Sequence, residues 1–216
     1  MKQILLRLEK TYGPRAWDGP KDPVGSLVGT ILSQNTSDAN SSAGMRRLCE
    51  RFATWEQVAD ARIAAIERCI RVSGLSRIKA PRIRTILRQI RRDRGEINLA
   101  FLAEREPNEA LAYLLRFDGV GPKTANCVLL FALGMPVFPV DTHIHRIAKR
   151  LGWIGEGATA EQAHGLLAGR IAPADRFALH VLLIAHGRAT CRARNPRCGE
   201  CCLGDRCPFG QRHTGR

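Results

Sequence analysis

Apolar residues recur at three- and four-residue spacing along almost the whole of this 216-residue chain, and alternating strand patterns are nearly absent. That periodicity predicts an all-α protein, with helices at about 1–12, 23–33, 38–52, 55–60, 62–72, 76–93, 107–116, 122–133, 142–151, 160–170 and 173–186. Asp22-Pro23 reads as an N-cap followed by a first helical residue, and Thr159-Ala160-Glu161-Gln162 matches a capping box. Pro81 lies inside the 76–93 segment, so a helix there is expected to begin after Ser76 or to bend. Beyond about Arg188 the helical period stops, and Cys, Gly, Pro and Arg dominate.

With 44% hydrophobic and 25% charged residues, the chain can bury a sizeable core, in one large domain or two small ones. The longest nearly apolar stretch, Cys127 to Val140, is broken by Gly134, Pro136 and Pro139 and is too short to span a bilayer. The N-terminal apolar run carries charge throughout and lacks a cleavage site, so no secretion signal is expected and the chain reads as cytosolic. Thirty-four Lys and Arg against 20 Asp and Glu give a formal charge of +14, a field that favours a polyanion. Nucleic acid is the commonest candidate; charge does not separate DNA from RNA. The stretch holding Arg77, Lys79, Arg82, Arg84, Arg88, Arg91, Arg92 and Arg94 is either a phosphate-tracking stripe or a solvated helix face.

Three constellations could carry chemistry. Cys191, Cys198, Cys201 and Cys207 fall within a short polar tail that needs something to order it. In a reducing compartment, four thiolates suit tetrahedral zinc or an iron–sulfur cluster, and spacing leaves the two undecided. Cys49, Cys69 and Cys127 sit at helical positions and read as buried packing residues, and the histidines as structural. The second constellation is Phe117-Asp118-Gly119-Val120-Gly121-Pro122-Lys123-Thr124-Ala125, between two helical segments. Gly119 and Gly121 allow a tight turn with positive φ, and Pro122 suits the first position of the next helix, leaving N–H groups free for a phosphate. A plain helix–turn–helix corner is the alternative. The third is Val140-Asp141-Thr142-His143, where Asp141 precedes a helical run and could simply cap it.

In order and spacing, G-V-G-P-K-T-A at 119–125, V-D-T-H at 140–143, H-G-R at 186–188 and the four-cysteine tail resemble the endonuclease III group of helix-hairpin-helix DNA glycosylases. The resemblance implies two α-helical domains flanking a DNA cleft: a six-helix barrel at 20–135, and a second domain built from 1–19 and 136–216. It implies a [4Fe–4S] cluster on Cys191, Cys198, Cys201 and Cys207. Lys123 and Asp141 match the catalytic pair, and Gly119, Val120, Gly121 and Thr124 belong to the hairpin that grips a phosphate. Leu75, after Gly74, matches a residue inserted into the base stack, while Lys79 and Arg146 are expected at the DNA. Close relatives read L-S-x-Q-x-T-D where this chain has Leu32-Ser33-Gln34-Asn35-Thr36-Ser37-Asp38. Gln34, Asn35 and Asp38 are thus expected to face the gap left by a flipped base, with Asn35 in place of the usual Gln. The implied activity is that of a monomeric glycosylase and lyase, acting on damaged bases or abasic sites in double-stranded DNA at the nucleoid. It would remove oxidised pyrimidines and nick by β-elimination. A mismatch or purine-lesion glycosylase, or a non-catalytic DNA-binding module, is the alternative.

Overall fold

The computed structural model describes residues 1–214 and divides them into two compact units, Pro20–Met135 and a second formed by Met1–Gly19 with Pro136 onward. Twelve α-helices are described: α1 Lys2–Tyr12, α2 Pro23–Ser33, α3 Asp38–Arg51, α4 Trp55–Asp60, α5 Ile63–Ile70, α6 Ser76–Arg94, α7 Pro107–Leu115, α8 Pro122–Leu133, α9 Thr142–Arg150, α10 Ala160–Ala168, α11 Arg176–Ala189 and α12 Pro208–Thr214. No strand occurs among the described residues, and no helix is long and apolar enough to cross a membrane.

The Pro20–Met135 unit holds α2 to α8. Each helix turns its apolar stripe inward, burying Leu27, Ile31, Leu48, Ile66, Ile83, Leu87 and Leu129 in a common core. Helix starts follow local chemistry. Asp22 accepts the Val24 N–H at 2.9 Å ahead of Pro23, and its other oxygen takes the Trp55 indole N–H at 2.8 Å, which ties α4 to α2. The late start that Pro81 offered does not occur: α6 begins at Ser76 and runs through Pro81 to Arg94. The ring removes one N–H early in the helix, and Lys79, Ala80 and Ile83 around it are locked in the interior. Three arginines of the basic segment are committed internally. Arg91 forks onto Asp60 at 2.8 and 2.9 Å, Arg88 donates to the Ala59 carbonyl at 2.7 Å, and Arg84 reaches the Ala61 carbonyl.

The other unit packs α1 and α9 against α11, and Ile4, Leu5 and Leu8 share one buried cluster with Ile144, Ile147, Leu179 and Leu183. The capping box at Thr159 forms in full: its hydroxyl accepts the Gln162 N–H while the Gln162 side chain accepts the Thr159 N–H. Two expectations fail here. Residues 173–175 are a separate 3-10 turn before α11, and the aperiodic tail ends in a helix, α12, which Pro208 opens. Cys49, expected in the core, is exposed on α3, Cys69 is half-buried and Cys127 is buried.

Candidate active site

Within the Pro20–Met135 unit, α7 and α8 form a hairpin whose turn is set by Gly119 at φ +71. A side chain at Gly119 would also collide with the Arg82 guanidinium, whose Cζ lies 2.2 Å from where a Cβ would stand. Gly121, expected to share the positive φ, is instead extended at φ −91 and caps α8, and a Cβ there would meet nothing within 4 Å. The protein therefore leaves open space beside Gly121. Pro122 opens α8 and Lys123 follows, exposed, at the second helical position. The first helical bond of α8 runs from the Ala125 N–H to the Gly121 carbonyl, so the N–H groups ahead of Ala125 precede the hydrogen-bonded ladder. These are the ingredients of an anion site next to an amine. Val120 and Thr124, expected at the DNA, have buried side chains and offer only backbone on that surface.

The loop joining α2 to α3 and the turn before α6 hold two residues in left-handed conformation: Asn35 at φ +53 and Leu75 at φ +51. Asn adopts that conformation more readily than a longer side chain does, whereas for Leu it is strained. Leu75 is half exposed, and so is Ile78, one helical turn on. Periodicity could have found Ile78: it lies off the buried stripe of α6 yet is apolar. Asn35 is exposed, while the Gln34 side chain turns to the hairpin, donating to the Gly119 carbonyl at 3.2 Å and the Thr124 hydroxyl at 3.4 Å. Asp38 stands exposed in the first turn of α3, which Ser37 caps.

Lys79 overturns its expected role. It is 1% exposed, and its ammonium donates to the carbonyls of Leu32 and Gln34 at 2.7 Å and of Ser73 at 2.8 Å. Burial lowers its pKa from the ordinary value. Against that, three carbonyls that can only accept match three N–H donors, and this holds the proton on.

In the other unit, Asp141 caps α9 by accepting the Ile144 N–H at 2.8 Å through Oδ1. A carboxylate has further acceptor capacity beyond that bond. Arg146, expected at the DNA, turns inward: Nε and Nη2 donate to the Cys191 carbonyl at 3.1 and 2.9 Å, and Nη2 also to the Gly187 carbonyl. It thereby fixes the start of the cysteine loop. Cys191, Cys198, Cys201 and Cys207 line a single cavity with Ile147, Leu151 and Leu203. Donors point at the sulfurs. The Arg150 guanidinium lies 3.1 Å from Cys191 Sγ, and the N–H groups of Leu203 and Gly210 lie 3.4 Å from Cys201 and Cys207 Sγ. Burial pushes the Cys201 thiol up to about 11, against the opposing pull of the Leu203 N–H, and raises the Cys198 thiol as well. Among the described residues no three His, Cys, Asp or Glu side chains are close enough to share one ion. Buried His186 bridges from the Tyr12 hydroxyl, 2.9 Å from Nδ1, toward Cys201, which supports a structural role for this histidine.

Residues 28–173 match the model of the HhH-GPD superfamily of base excision DNA repair proteins. An Arabidopsis thaliana relative is 40% identical over 162 residues, which span 75% of this chain and 55% of that protein. Endonuclease III of Thermotoga maritima is 36% identical over 192 residues, covering 88% of this chain and 85% of that one. A solved structure of a trapped endonuclease III–DNA covalent intermediate superposes with a TM-score of 0.81 at 28% identity, over 99% of this chain and 98% of the other. The chain belongs to the HhH-GPD superfamily of base excision DNA repair proteins and, within it, to the endonuclease III family.

Proposed function

We propose that the protein is a DNA glycosylase and AP lyase of base excision repair that removes oxidised pyrimidines from duplex DNA and nicks the resulting abasic site by β-elimination. Lys123 carries the proposal: an exposed primary amine beside the open, N–H-lined start of α8. A base within a duplex is inaccessible, so the nucleotide must be extruded at a cost of a few kcal/mol, less for a poorly stacked damaged base. Phosphate contacts at Gly121 and an apolar wedge of Leu75 and Ile78 offset that cost. The neutral amine of Lys123 attacks C1′. The C1′–Nζ bond forms as the glycosidic bond breaks, and the base leaves with the electron pair and takes up a proton. Opening of the sugar ring gives a protonated imine. Loss of a C2′ proton then expels the 3′ phosphate and cuts the strand. Asp141, with acceptor capacity beyond its capping bond, stabilises positive charge developing on the sugar or assists the proton transfers.

Cys191, Cys198, Cys201 and Cys207 are the proposed ligands of a [4Fe–4S] cluster. Four thiols line one cavity, with backbone N–H groups on two of the sulfurs, a donor set that suits an iron–sulfur cluster. When bound, the cluster would cross-link the loop that carries Arg192, Arg194 and Arg197. Iron and acid-labile sulfide analysis checks the assignment, and zinc in their place would refute it. Enzyme activity is tested by borohydride reduction with an abasic-site or thymine-glycol duplex. The native chain should be trapped covalently and Lys123→Gln should not; trapping of Lys123→Gln at native yield would sink the nucleophile assignment.

A further inference from the structure

Lys79 is among the largest fully buried side chains of the described residues, and the mechanism above makes no use of it. Its three acceptors are not scattered. Leu32 and Gln34 lie at the exit of α2, and the Gln34 carbonyl belongs to the peptide group leading directly into left-handed Asn35. Ser73 lies in the turn that leads through Gly74 into left-handed Leu75. The Ser73 hydroxyl donates in turn to the Asn40 carbonyl on α3. Gly44 makes room for that hydroxyl, because a Cβ there would stand 2.0 Å from the Ser73 oxygen. From the other side, the Gln34 side chain reaches the Gly119 carbonyl and the Thr124 hydroxyl of the hairpin. One ammonium and one amide therefore join three surface loops in a continuous chain of hydrogen bonds.

We infer that Lys79 is a positioning residue, a buried strut that fixes the Asn35 loop and the Leu75 turn relative to each other before DNA arrives. The inference rests on the proposed function for its catalytic consequence, though not for its geometry. Both loops carry a residue in a sparsely populated conformation, and such residues persist only where their surroundings over-determine them. A monovalent contact could not do this. An ammonium has three donors at fixed angles, so its bonds set the separation of the two loops as well as their orientation. An exposed lysine bound to a phosphate would add affinity, whereas an enclosed one adds preorganisation and saves ordering entropy on binding.

The test compares the native chain with Lys79→Met, which keeps the bulk and removes every donor. Amide hydrogen exchange without DNA should speed up at least tenfold at Asn35, Thr36, Gly74 and Leu75 and stay unchanged at Val128 to Leu130. Single-turnover base release from duplex at saturating enzyme should fall at least tenfold. So should the fluorescence rise of a 2-aminopurine placed opposite an abasic analogue. Borohydride trapping on a single-stranded abasic oligonucleotide, where no stack has to be opened, should match the native chain. Unchanged loop exchange in folded Lys79→Met would overturn the inference, as would unchanged base release or a parallel fall in single-strand trapping. If Lys79→Met does not fold, Lys79→Gln is the substitute: its shorter amide brings two N–H donors in place of three, and the same exchange and fluorescence changes are expected from it, their absence being the refutation. If the native chain neither traps nor releases base, the enzymatic reading fails while the exchange comparison still decides the strut.

Discussion

Gly121→Ala separates fold from DNA recognition at one atom. At φ −91 the new side chain suffers no backbone strain, and a Cβ meets nothing within 4 Å. Two small effects on stability oppose each other. Alanine is a poorer N-cap than glycine by about 0.5–1 kcal/mol, while its stiffer unfolded chain returns about 0.4–1 kcal/mol. Net stability should stay within about 0.5 kcal/mol of the native chain, and the melting temperature should barely move. Binding is another matter, because the space beside Gly121 is where a phosphate must approach the N–H groups at the start of α8. A hydrogen bond to a charged group is worth about 1.5–3 kcal/mol, so losing one weakens Kd roughly ten- to hundredfold. Fluorescence anisotropy on a duplex with a stable abasic analogue, paired with thermal melting, reads both quantities. Native affinity in the variant, or a large fall in melting temperature, would refute the assignment of this surface to phosphate.

Helices were the most legible part of the chain, because period and caps agreed. Asp22-Pro23, the Thr159 capping box and Asp141 stand where the residue types place them. Less legible was anything that depends on which way a side chain points. Lys79 sits in an arginine-rich run and reads as one more cation, yet its helical phase was informative. Positions 79, 83, 86, 87 and 90 form the buried stripe of α6, so the lysine occupies a core position. Its three carbonyl partners are backbone groups from other segments, which no residue pattern encodes. Arg146 went inward for a related reason: the Cys191 carbonyl that holds it lies 45 residues away. Gly121 is ambiguous in sequence because a glycine can mark a positive φ or a close approach, and residue type does not distinguish them. α12 escaped because seven residues are too few to display a period.

Gly119→Ala should behave oppositely to Gly121→Ala: a left-handed alanine costs about 1–2 kcal/mol, and Arg82 must swing out of its exposed ion pair with Asp118, so melting falls measurably. A Gly119→Ala variant with native melting would refute the strained-turn account. Burial lowers the His164 pKa from 6.5, so the unfolded chain takes up its proton first. Stability from this group is therefore intact above pH 6.5 and declines as the pH falls toward the folded value, and His164→Gln should make the melting temperature fall less steeply below pH 6.5, the remaining slope belonging to His186, which burial lowers to about 4. For Asp141, two substitutions divide capping from chemistry. Asn caps a helix about as well as Asp, so Asp141→Asn should melt like the native chain, whereas Asp141→Ala loses the bond to the Ile144 N–H and about 1 kcal/mol with it. If the carboxylate acts on the sugar, both variants release base far more slowly while binding DNA, because neither carries the negative charge. If it serves only as a cap, Asp141→Asn keeps native activity and only Asp141→Ala is impaired, in proportion to its lost stability. Full activity in Asp141→Asn would thus remove Asp141 from the reaction and leave it as the cap of α9.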